Sequence, residues 1–519
     1  MSENKRGSFS GGLGFVLAAA GSAVGLGNIW RFPYLAAQYG GGIFLLVYLI
    51  LVLTFGFSML MLEIGIGRKT KASCIHAYKK FDKRFGFLGY LAAVVPIIIL
   101  PYYSVIGGWV IKYMLTFLSG QGVAAAEDGY FVGFVSQTTS PIIFFAIFLL
   151  LTTFIVLGGV EKGIEKVSTV LMPILVLISV GVCIFVCTLD GSLEGIKYYL
   201  LPDFSKFSIK TVCAAMGQLF YSLSVAMGIM VSYGSYVKDD VDLSKSVNQI
   251  EIFDTAIAMI SGFMIVPAVY IFSGEEGLQS AGAGLMFNTL PKVFDAMPFG
   301  QIIGAAFFIL VLLAALTSSI SIMEAITSIF MDKLKLTRVK SVLLCFVISL
   351  LLGIPSSLGH GIWAHIKLLG MDFLTFFDYI SNSVIMPIVA LVTCILFGWV
   401  VGTKVIEDEI TKNGKTILYL ERNDIDSSLV YDNGKTIVAI NATGMNLSKD
   451  RLSYDNVEFS FGDNFTTSGK YSLRKRTETS TLNFSNTGKY LDVSKLSPDE
   501  WTGISDTVTD LLENIPFFQ

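Results

Sequence analysis

A glycine-rich polar stretch interrupts the first strongly apolar segment of the chain. Within AAAGSAVGLGNIWRFPY, the residues Gly21, Gly25 and Gly27 are followed by Asn28 and Arg31. Glycine inside a helix costs about 1 kcal/mol relative to alanine, and a charged side chain at membrane depth costs a few kcal/mol more. Residues that destabilise a membrane helix to this extent are typical of a functional site. The exposed backbone amides could bind a carboxylate, and the carbonyl and side-chain oxygens could bind ions.

A second apolar segment, five segments further on, is interrupted in the same way. The stretch FYSLSVAMGIMVSYGSY places Ser222, Ser224 and Gly228 in its middle. An unwound helix leaves peptide groups that hydrocarbon cannot satisfy, so such a segment must line a cavity. Interrupted helices in matching positions predict a binding site between two inverted repeats. The alternative is a pair of glycine-lined faces for helix packing.

Other polar side chains lie inside apolar segments. Thr317 and Ser318, in ALTSSISIMEA, follow Ala314 by one helical turn and offer hydroxyl oxygens, although such hydroxyls often bond back to their own helix. Asp254 is a carboxylate in IEIFDTAIAMISGF, where function or a position near the helix end would explain it. Asp378 lies near the start of the last apolar segment, within reach of a cation across a cavity.

These residues lie in a polytopic membrane protein. The chain has 53% hydrophobic and 15% charged residues and a mean hydropathy of +0.67, too apolar for a soluble protein of 519 residues. Since a bilayer core needs about 20 apolar residues per helix, we expect ten spans. They cover residues 12–37, 42–66, 88–118, 141–158, 167–189, 212–236, 248–273, 300–330, 341–354 and 373–401.

Basic residues fall on alternate sides of these spans. The same side receives Lys5 and Arg6, Arg68 to Arg84, Lys162 and Lys166, Lys238 and Lys245, and Lys333 to Lys340. Positive charge marks the cytoplasmic side, so we expect both termini of a plasma-membrane protein to be cytoplasmic. The net charge of −3 argues against a nucleic-acid partner. The cysteines lack the spacing of a disulfide framework or a metal site.

The character of the sequence changes near residue 406. Short alternating segments such as KTILYLE and VEFSF, separated by turn signals, predict strands in a small soluble C-terminal segment of residues 406–519. A closing stretch, SDTVTDLLENI, has the pattern of an amphipathic helix. A mostly disordered tail is the alternative, because its apolar content is low for a packed core.

Residues 6–405 closely resemble the neurotransmitter:sodium symporter family, and within it the bacterial amino acid transporters of the leucine-transporter fold. The resemblance is carried by GSAVGLGNIWRFPY, by GQLFYSLS through SYGSY, and by LTSSISIME. It implies an all-α core, residues 1–405, built from inverted five-helix repeats. It also implies sodium-coupled import of a small neutral amino acid, with membrane lipid around the core.

The resemblance also implies site residues. The first sodium would be held by the Ala23 carbonyl, Asn28, Ser222, Asp254 and the substrate carboxylate, and the second by Gly21, Val24, Ala314, Thr317 and Ser318. The substrate would contact Ser22, Gly25, Ile99, Tyr103, Tyr221, Ser224, Met227, Ser318 and Ile322. Arg31 with Asp378 would form an outer gate beneath Tyr221, and Arg6 with Asp332, helped by Tyr236, an inner gate.

Departures from the family pattern refine these expectations. Gly25 stands where monoamine carriers have Asp, which favours an amino acid. Asp254, with Ala258 one turn later, replaces the Asn and Ser of chloride-dependent members, so chloride should not be required. Phe9 and Gly12 replace a usual Trp and Arg, which would weaken the inner gate. The polar tail stands where relatives continue with one or two membrane helices.

Two other functional classes compete with a symporter. A transport-inactive amino acid sensor that signals through the C-terminal segment would explain the unusual tail. A membrane enzyme is the weaker alternative, since His76, His360 and His365 have no metal-site spacing and no nucleophile motif occurs. Because the expected pocket is apolar and aromatic, we expect leucine, isoleucine, valine or methionine as the substrate. Its identity and the oligomeric state are not fixed by the sequence.

Overall fold

The structure is a computed structural model that describes residues 8–280, 285–410, 417–423, 426–432, 437–448, 451–461, 465–475 and 480–486. Two compact units, Met1–Ile406 and Glu407–Gln519, divide the chain. The first unit is helical, the second contains the strands, and each is described by itself.

Long apolar runs in the first unit form helices that are numbered here in chain order. They are α1 Gly12–Ala23, α2 Phe32–Gln38, α3 Gly42–Leu51, α4 Phe57–Thr70, α5 Cys74–Phe81, α6 Gly86–Leu118, α7 Gly122–Ala126, α8 Tyr130–Val135, α9 Thr139–Leu157, α10 Lys166–Cys187, α11 Ser192–Leu200, α12 Ile209–Ser222, α13 Ile229–Gly234, α14 Leu243–Ser280, α15 Leu290–Ala296, α16 Gly300–Leu334, α17 Arg338–Leu358, α18 Phe373–Asp378, α19 Met386–Ile395 and α20 Lys404–Ile410. Wider π-helical turns cover Gly27–Arg31, Val52–Gly56, Val160–Glu165, Leu285–Thr289, Tyr379–Ile385 and Leu396–Val400.

Within the described residues, eight helices are long and apolar enough to cross a bilayer, and a ninth span is the bent pair that begins the chain. Ten spans were expected, and the difference lies in the sixth. Residues 212–236 form α12 and α13, which are separated by a break and are each too short to cross a bilayer alone.

Both interrupted stretches are broken helices. The first bends by 46° between Gly12–Ala23 and Gly27–Gln38. In the second, the backbone between α12 and α13 is left-handed at Ser224 (φ 53°), Ala226 (φ 62°) and Gly228 (φ 71°). Left-handed φ is uncommon for a residue with a Cβ, so Ser224 and Ala226 are held there at a cost of about 1 kcal/mol each.

Close packing fixes α13 against α4. A Cβ on Gly67 would lie 2.0 Å from the Val231 carbonyl oxygen, and one on Gly234 would lie 2.3 Å from the Ile64 carbonyl oxygen. Only glycine permits this contact between backbones. Elsewhere α6 packs on α16, α9 and α17, and α14 packs on α11, α10, α2 and α1, so the first broken helix, formed by α1 and α2, lies against α14.

The second unit is an antiparallel sheet with strand order β1-β2-β3-β4-β5-β6. Its strands are β1 Ile417–Asn423, β2 Asp426–Asp432, β3 Ile437–Ser448, β4 Arg451–Phe461, β5 Phe465–Lys475 and β6 Ser480–Asn486. Successive strands pair with their chain neighbours, and the register shifts between Tyr454 and Val457 of β4. The predicted terminal helix, SDTVTDLLENI, lies outside the described residues.

Candidate substrate and ion site

The residues predicted to bind substrate lie around one cavity between the two broken helices. Its lining consists of Ser22, Ala23, Gly25, Leu26, Gly27, Ile99, Tyr103, Tyr221, Ser224, Met227, Ser318 and Ile322. All nine predicted substrate residues are in this set, and none of these described lining residues carries a charged side chain. The cavity is narrow, because the centre of a water molecule can occupy only about 20 Å³ of it. The walls of the cavity must therefore move apart before a ligand can bind.

Three serines tie the two broken helices to α16 at this cavity. The Ser22 carbonyl accepts hydrogen bonds from the Ser224 hydroxyl at 3.1 Å and from the Ser318 hydroxyl at 2.9 Å. The Ser22 hydroxyl in turn donates to Ser224 Oγ at 3.2 Å. All three side chains are buried. One carbonyl released by the first break is therefore satisfied by hydroxyls from two other elements.

Gly25 allows its neighbours to approach the backbone. A Cβ at this position would lie 2.1 Å from Ser318 Oγ and 3.1 Å from the Tyr103 hydroxyl. The next residue, Leu26, donates its backbone N–H to the Tyr103 hydroxyl at 3.3 Å. No side chain fits at Gly25 unless Ser318 moves. An Asp side chain, which monoamine carriers have at the matching position, therefore does not fit in this arrangement.

A buried polar cluster adjoins the cavity. Asn28 Nδ2 donates to Asp254 Oδ1 at 2.7 Å and to the Asp254 carbonyl at 2.9 Å. The Ser222 hydroxyl lies 2.9 Å from both carboxylate oxygens, and the Tyr48 hydroxyl lies 3.4 Å from Oδ2. The four side chains are fully buried. The predicted ligands Asn28, Ser222 and Asp254 therefore meet, and Asn28 Oδ1 accepts the backbone N–H of the cavity-lining residue Gly25 at 3.3 Å.

Tyr48 was not among the predicted site residues. It lies in the apolar run GIFLLVYLIL, where an aromatic residue is ordinary and signals nothing about chemistry. Only the packing of α3 against the site reveals that its hydroxyl faces Asp254.

Four residues of the predicted second sodium site, Gly21, Ala314, Thr317 and Ser318, also lie together. The Ser318 hydroxyl is 3.5 Å from the Gly21 carbonyl, and a Cβ on Gly21 would lie 3.3 Å from Thr317 Cβ. The Thr317 hydroxyl donates to the Ala314 carbonyl at 3.0 Å, the back-bonded geometry that the sequence left open. Val24 follows α1 at the break and donates its N–H to the Ala20 carbonyl at 2.7 Å.

The predicted outer gate residues do not bond to each other directly. The Arg31 guanidinium lies against the face of the Tyr221 ring, 5.5 Å from its centroid. Its Nη1 donates to Gln218 Oε1 at 3.0 Å rather than to Asp378. Asp378 Oδ1 instead accepts from Asn382 Nδ2 at 2.7 Å. Each charge is therefore satisfied by a neutral amide, and the sequence pattern gave no signal for either partner.

The predicted inner gate is described only in part, because Arg6 lies outside the described residues. Asp332 Oδ2 accepts the Ser73 backbone N–H at 2.8 Å. The Tyr236 hydroxyl donates to Glu324 Oε1 at 2.7 Å. Glu324 is also paired with a cation from the start of α17, Arg338, whose Nη1 lies 3.0 Å from the same oxygen.

Two buried glutamates complete the site, and an intramembrane carboxylate is a signal that the sequence did contain. Glu324, six residues after Ser318, is fully buried and joins α16 to α17 through its ion pair. Glu63 on α4 is also fully buried, and its Oε1 accepts the Ala226 N–H at 2.7 Å. This bond holds the left-handed segment between α12 and α13.

The geometry agrees with what the chain is similar to. The model of the sodium:neurotransmitter symporter family matches residues 6–123 and 135–420. An uncharacterized sodium-dependent transporter of Bacillus subtilis is 34% identical over 75% of this chain and 86% of its own length. The human sodium- and chloride-dependent GABA transporter 2 is 26% identical over 78% of this chain and 75% of its own length.

A solved structure is similar as well. The crystal structure of MhsT in complex with L-phenylalanine has a TM-score of 0.73 and 36% sequence identity, and covers 78% of this chain and 93% of its own. The similar proteins are transporters and not enzymes, which confirms the sequence-based resemblance. Because the family model covers most of the chain and relatives above 30% identity align over three quarters of it, the chain belongs to the sodium:neurotransmitter symporter family.

Proposed function

We propose that this chain is a sodium-coupled symporter that imports a small neutral, hydrophobic amino acid by alternating access. The observation that carries the proposal is the uncharged cavity between two broken helices, directly beside the Asn28, Ser222 and Asp254 cluster. The carboxylate of an amino acid substrate in this cavity would contact both the unwound backbone amides and a sodium ion. This shared contact would couple substrate binding to ion binding.

The lining supports the substrate class. Ile99, Ile322, Met227 and the Tyr221 ring offer apolar surface, while no charged group is present among the described lining residues to pair with a charged side chain. Unbranched Met227 adapts to side chains of several sizes. The phenylalanine named for MhsT supports an amino acid as the substrate. Leucine, isoleucine, valine and methionine are the favoured substrates of this chain.

Two sodium sites are part of the proposal. The first uses the Ala23 carbonyl, Asn28, Ser222 and Asp254, and the second uses Gly21, Val24, Ala314, Thr317 and Ser318. In the first, Asp254 supplies the negative charge itself, since the described contacts of its carboxylate are all with neutral donors. Chloride is therefore not required, in contrast to relatives whose names include chloride dependence.

The placement of basic residues supports an orientation with both termini in the cytoplasm of a plasma-membrane protein. In this arrangement residues 1–405 form the inverted-repeat core. Residues 406–519 form a small β-rich cytoplasmic segment, a proposal supported by the alternating sequence and by the paired backbone of β1–β6.

Binding of tritiated leucine to the purified protein tests the site. We expect saturable binding in sodium and none in potassium, with competition by excess methionine and no competition by lysine, glutamate or dopamine. Strong competition by lysine or dopamine would contradict an uncharged hydrophobic pocket. Sodium-dependent binding without any transport would favour the alternative of an amino acid sensor that signals through residues 406–519.

A further inference from the structure

The two charged residues of the outer gate are held apart in this structure. Asp378 Oδ1 accepts hydrogen bonds from Asn382 Nδ2 at 2.7 Å and from the Tyr102 hydroxyl at 3.2 Å. Arg31 donates to Gln218 Oε1 at 3.0 Å. Within the described part of the chain, no direct ion pair connects Arg31 with Asp378, although both lie near Tyr221, which lines the cavity.

The helix geometry after Asp378 sets up this arrangement. The π-helical turn Tyr379–Ile385 begins at the next residue, and such wider turns occur often at functional sites. The Ser381 hydroxyl bonds to the Phe377 carbonyl at 2.7 Å and to the Asp378 carbonyl at 3.2 Å. With the backbone satisfied in this way, Asn382 is 3% exposed and its amide points at the carboxylate.

The hydrogen bonds stabilise Asp378 without a cation. Asp378 is half-buried, and a carboxylate withdrawn from water is unfavourable unless donors surround it. A charged acceptor also strengthens each bond. Asn382 Nδ2 also lies 3.3 Å from the Tyr102 hydroxyl, so amide and phenol form one connected pair on the same carboxylate oxygen. Both hydrogen bonds reach Oδ1 and fix the orientation of the carboxylate, so a direct ion pair with Arg31 requires the carboxylate to turn out of this position. The neutral pair therefore competes with the arginine for Asp378.

We propose that Asn382 and Tyr102, together called the Asp378 clasp, are positioning residues that hold the outer gate open. Gate closure exchanges the hydrogen bonds of the clasp for an ion pair between Arg31 and Asp378. The clasp determines how often the gate closes. It thereby determines how long a bound substrate stays in the cavity before it is released to the outside. This inference rests on the proposed function, since it assigns a gating role to a substrate cavity.

The rate at which tritiated leucine dissociates from the purified full-length protein in sodium tests the clasp. Asn382→Leu should slow dissociation roughly tenfold, the effect expected from losing one competing hydrogen bond to a charged group. Tyr102→Phe removes only a hydroxyl and should slow release in the same direction, to a smaller extent. Thr393→Val removes another buried hydroxyl from the same span and should leave the rate unchanged.

A purely structural role predicts the opposite sign, because a loosened Asp378 would weaken the gate and speed release. Faster release from Asn382→Leu, or unchanged release from both clasp variants, would overturn the inference. The number of leucine-binding sites per molecule of purified protein shows how much of each variant is folded. If Asn382→Leu does not fold, the dissociation rate of Tyr102→Phe decides the question. Absence of sodium-dependent binding by the unmodified chain would instead overturn the proposed function, so the two failures are distinguishable.

Discussion

The Ser222 hydroxyl lies 2.9 Å from each carboxylate oxygen of Asp254, so the end of α12 is joined to the middle of α14. Asn28 from the first broken helix contacts the same carboxylate. A change in either break is therefore transmitted to Asp254. Sodium binding at this point would replace hydrogen bonds to the carboxylate by ion contacts and bring three separate elements together.

Asp254 should make transport independent of chloride. Replacing external chloride by gluconate should leave the initial uptake rate of the unmodified protein unchanged, because Asp254 supplies the compensating charge in a site of low dielectric constant. Asp254→Asn should lower uptake by roughly tenfold or more, because the sodium site loses its one charged side-chain ligand and each tenfold corresponds to about 1.4 kcal/mol. Asp295→Asn makes the same change at an exposed position and serves as the control. A large chloride dependence of the unmodified protein would refute this role.

The Thr317 and Ser318 hydroxyls should determine sodium affinity. Thr317→Val combined with Ser318→Ala removes two oxygen ligands and should weaken sodium activation of leucine binding by roughly tenfold or more, since each tenfold is about 1.4 kcal/mol. Ser319→Ala is the matched control, because that hydroxyl bonds to Thr152 at 2.8 Å, away from the cavity. An unchanged sodium dependence in the double variant would disprove the second site.

Ala226 should restrict the size of the substrate. Ala226→Gly relieves a left-handed backbone with φ 62° and makes the segment beside the cavity easier to deform. We expect tryptophan to compete with leucine about tenfold better in this variant, while thermal stability changes by no more than about 1 kcal/mol. Ala215→Gly, in the regular helix α12, should lower stability by about 1 kcal/mol without altering competition. Identical competition in both variants would show that Ala226 has no part in selectivity.

The Cys74 thiol should report on movement of α13. Burial, followed by the nearby Glu63 carboxylate, raises the pKa of Cys74 to about 12, so the thiol stays protonated at neutral pH. A Cβ on Gly228 would lie 2.7 Å from Cys74 Sγ, so the residue directly before α13 lies against the sulfur. At pH 7.5 a maleimide should modify exposed Cys213 and spare Cys74 until denaturant is added. Equal modification of both cysteines in the native protein would contradict this packing.

The sequence predicted the breaks because glycine and polar residues are costly inside an apolar helix, and this signal is local. Gly25 and Ser224 were found in this way, and the resemblance then brought distant Ile99 and Ile322 to the same cavity. Contacts that depend on side-chain direction across helices were not predicted. Tyr48 lies in an ordinary apolar stretch and Asn382 in the polar stretch DYISNS, and only packing shows which polar atom each one faces.

The gate shows the same limit. Opposite charges at Arg31 and Asp378 suggested a direct ion pair, but the sequence contains no measure of the competing amides of Gln218 and Asn382. The interruption of the sixth span was predicted, but its extent was not, because hydropathy averages over the six-residue break between Ser222 and Ile229. The family was no guide to most of residues 406–519, since the match to the family model ends at residue 420.

Uptake of tritiated leucine into proteoliposomes under an inward sodium gradient tests the central claim most directly. We predict accumulation above the external concentration that collapses when a sodium ionophore dissipates the gradient and that is absent in an equal potassium gradient. Thr393→Val should accumulate leucine normally, whereas Thr317→Val with Ser318→Ala should not. Sodium-dependent binding by the unmodified protein without any accumulation, or accumulation that persists without a sodium gradient, would contradict sodium-coupled symport.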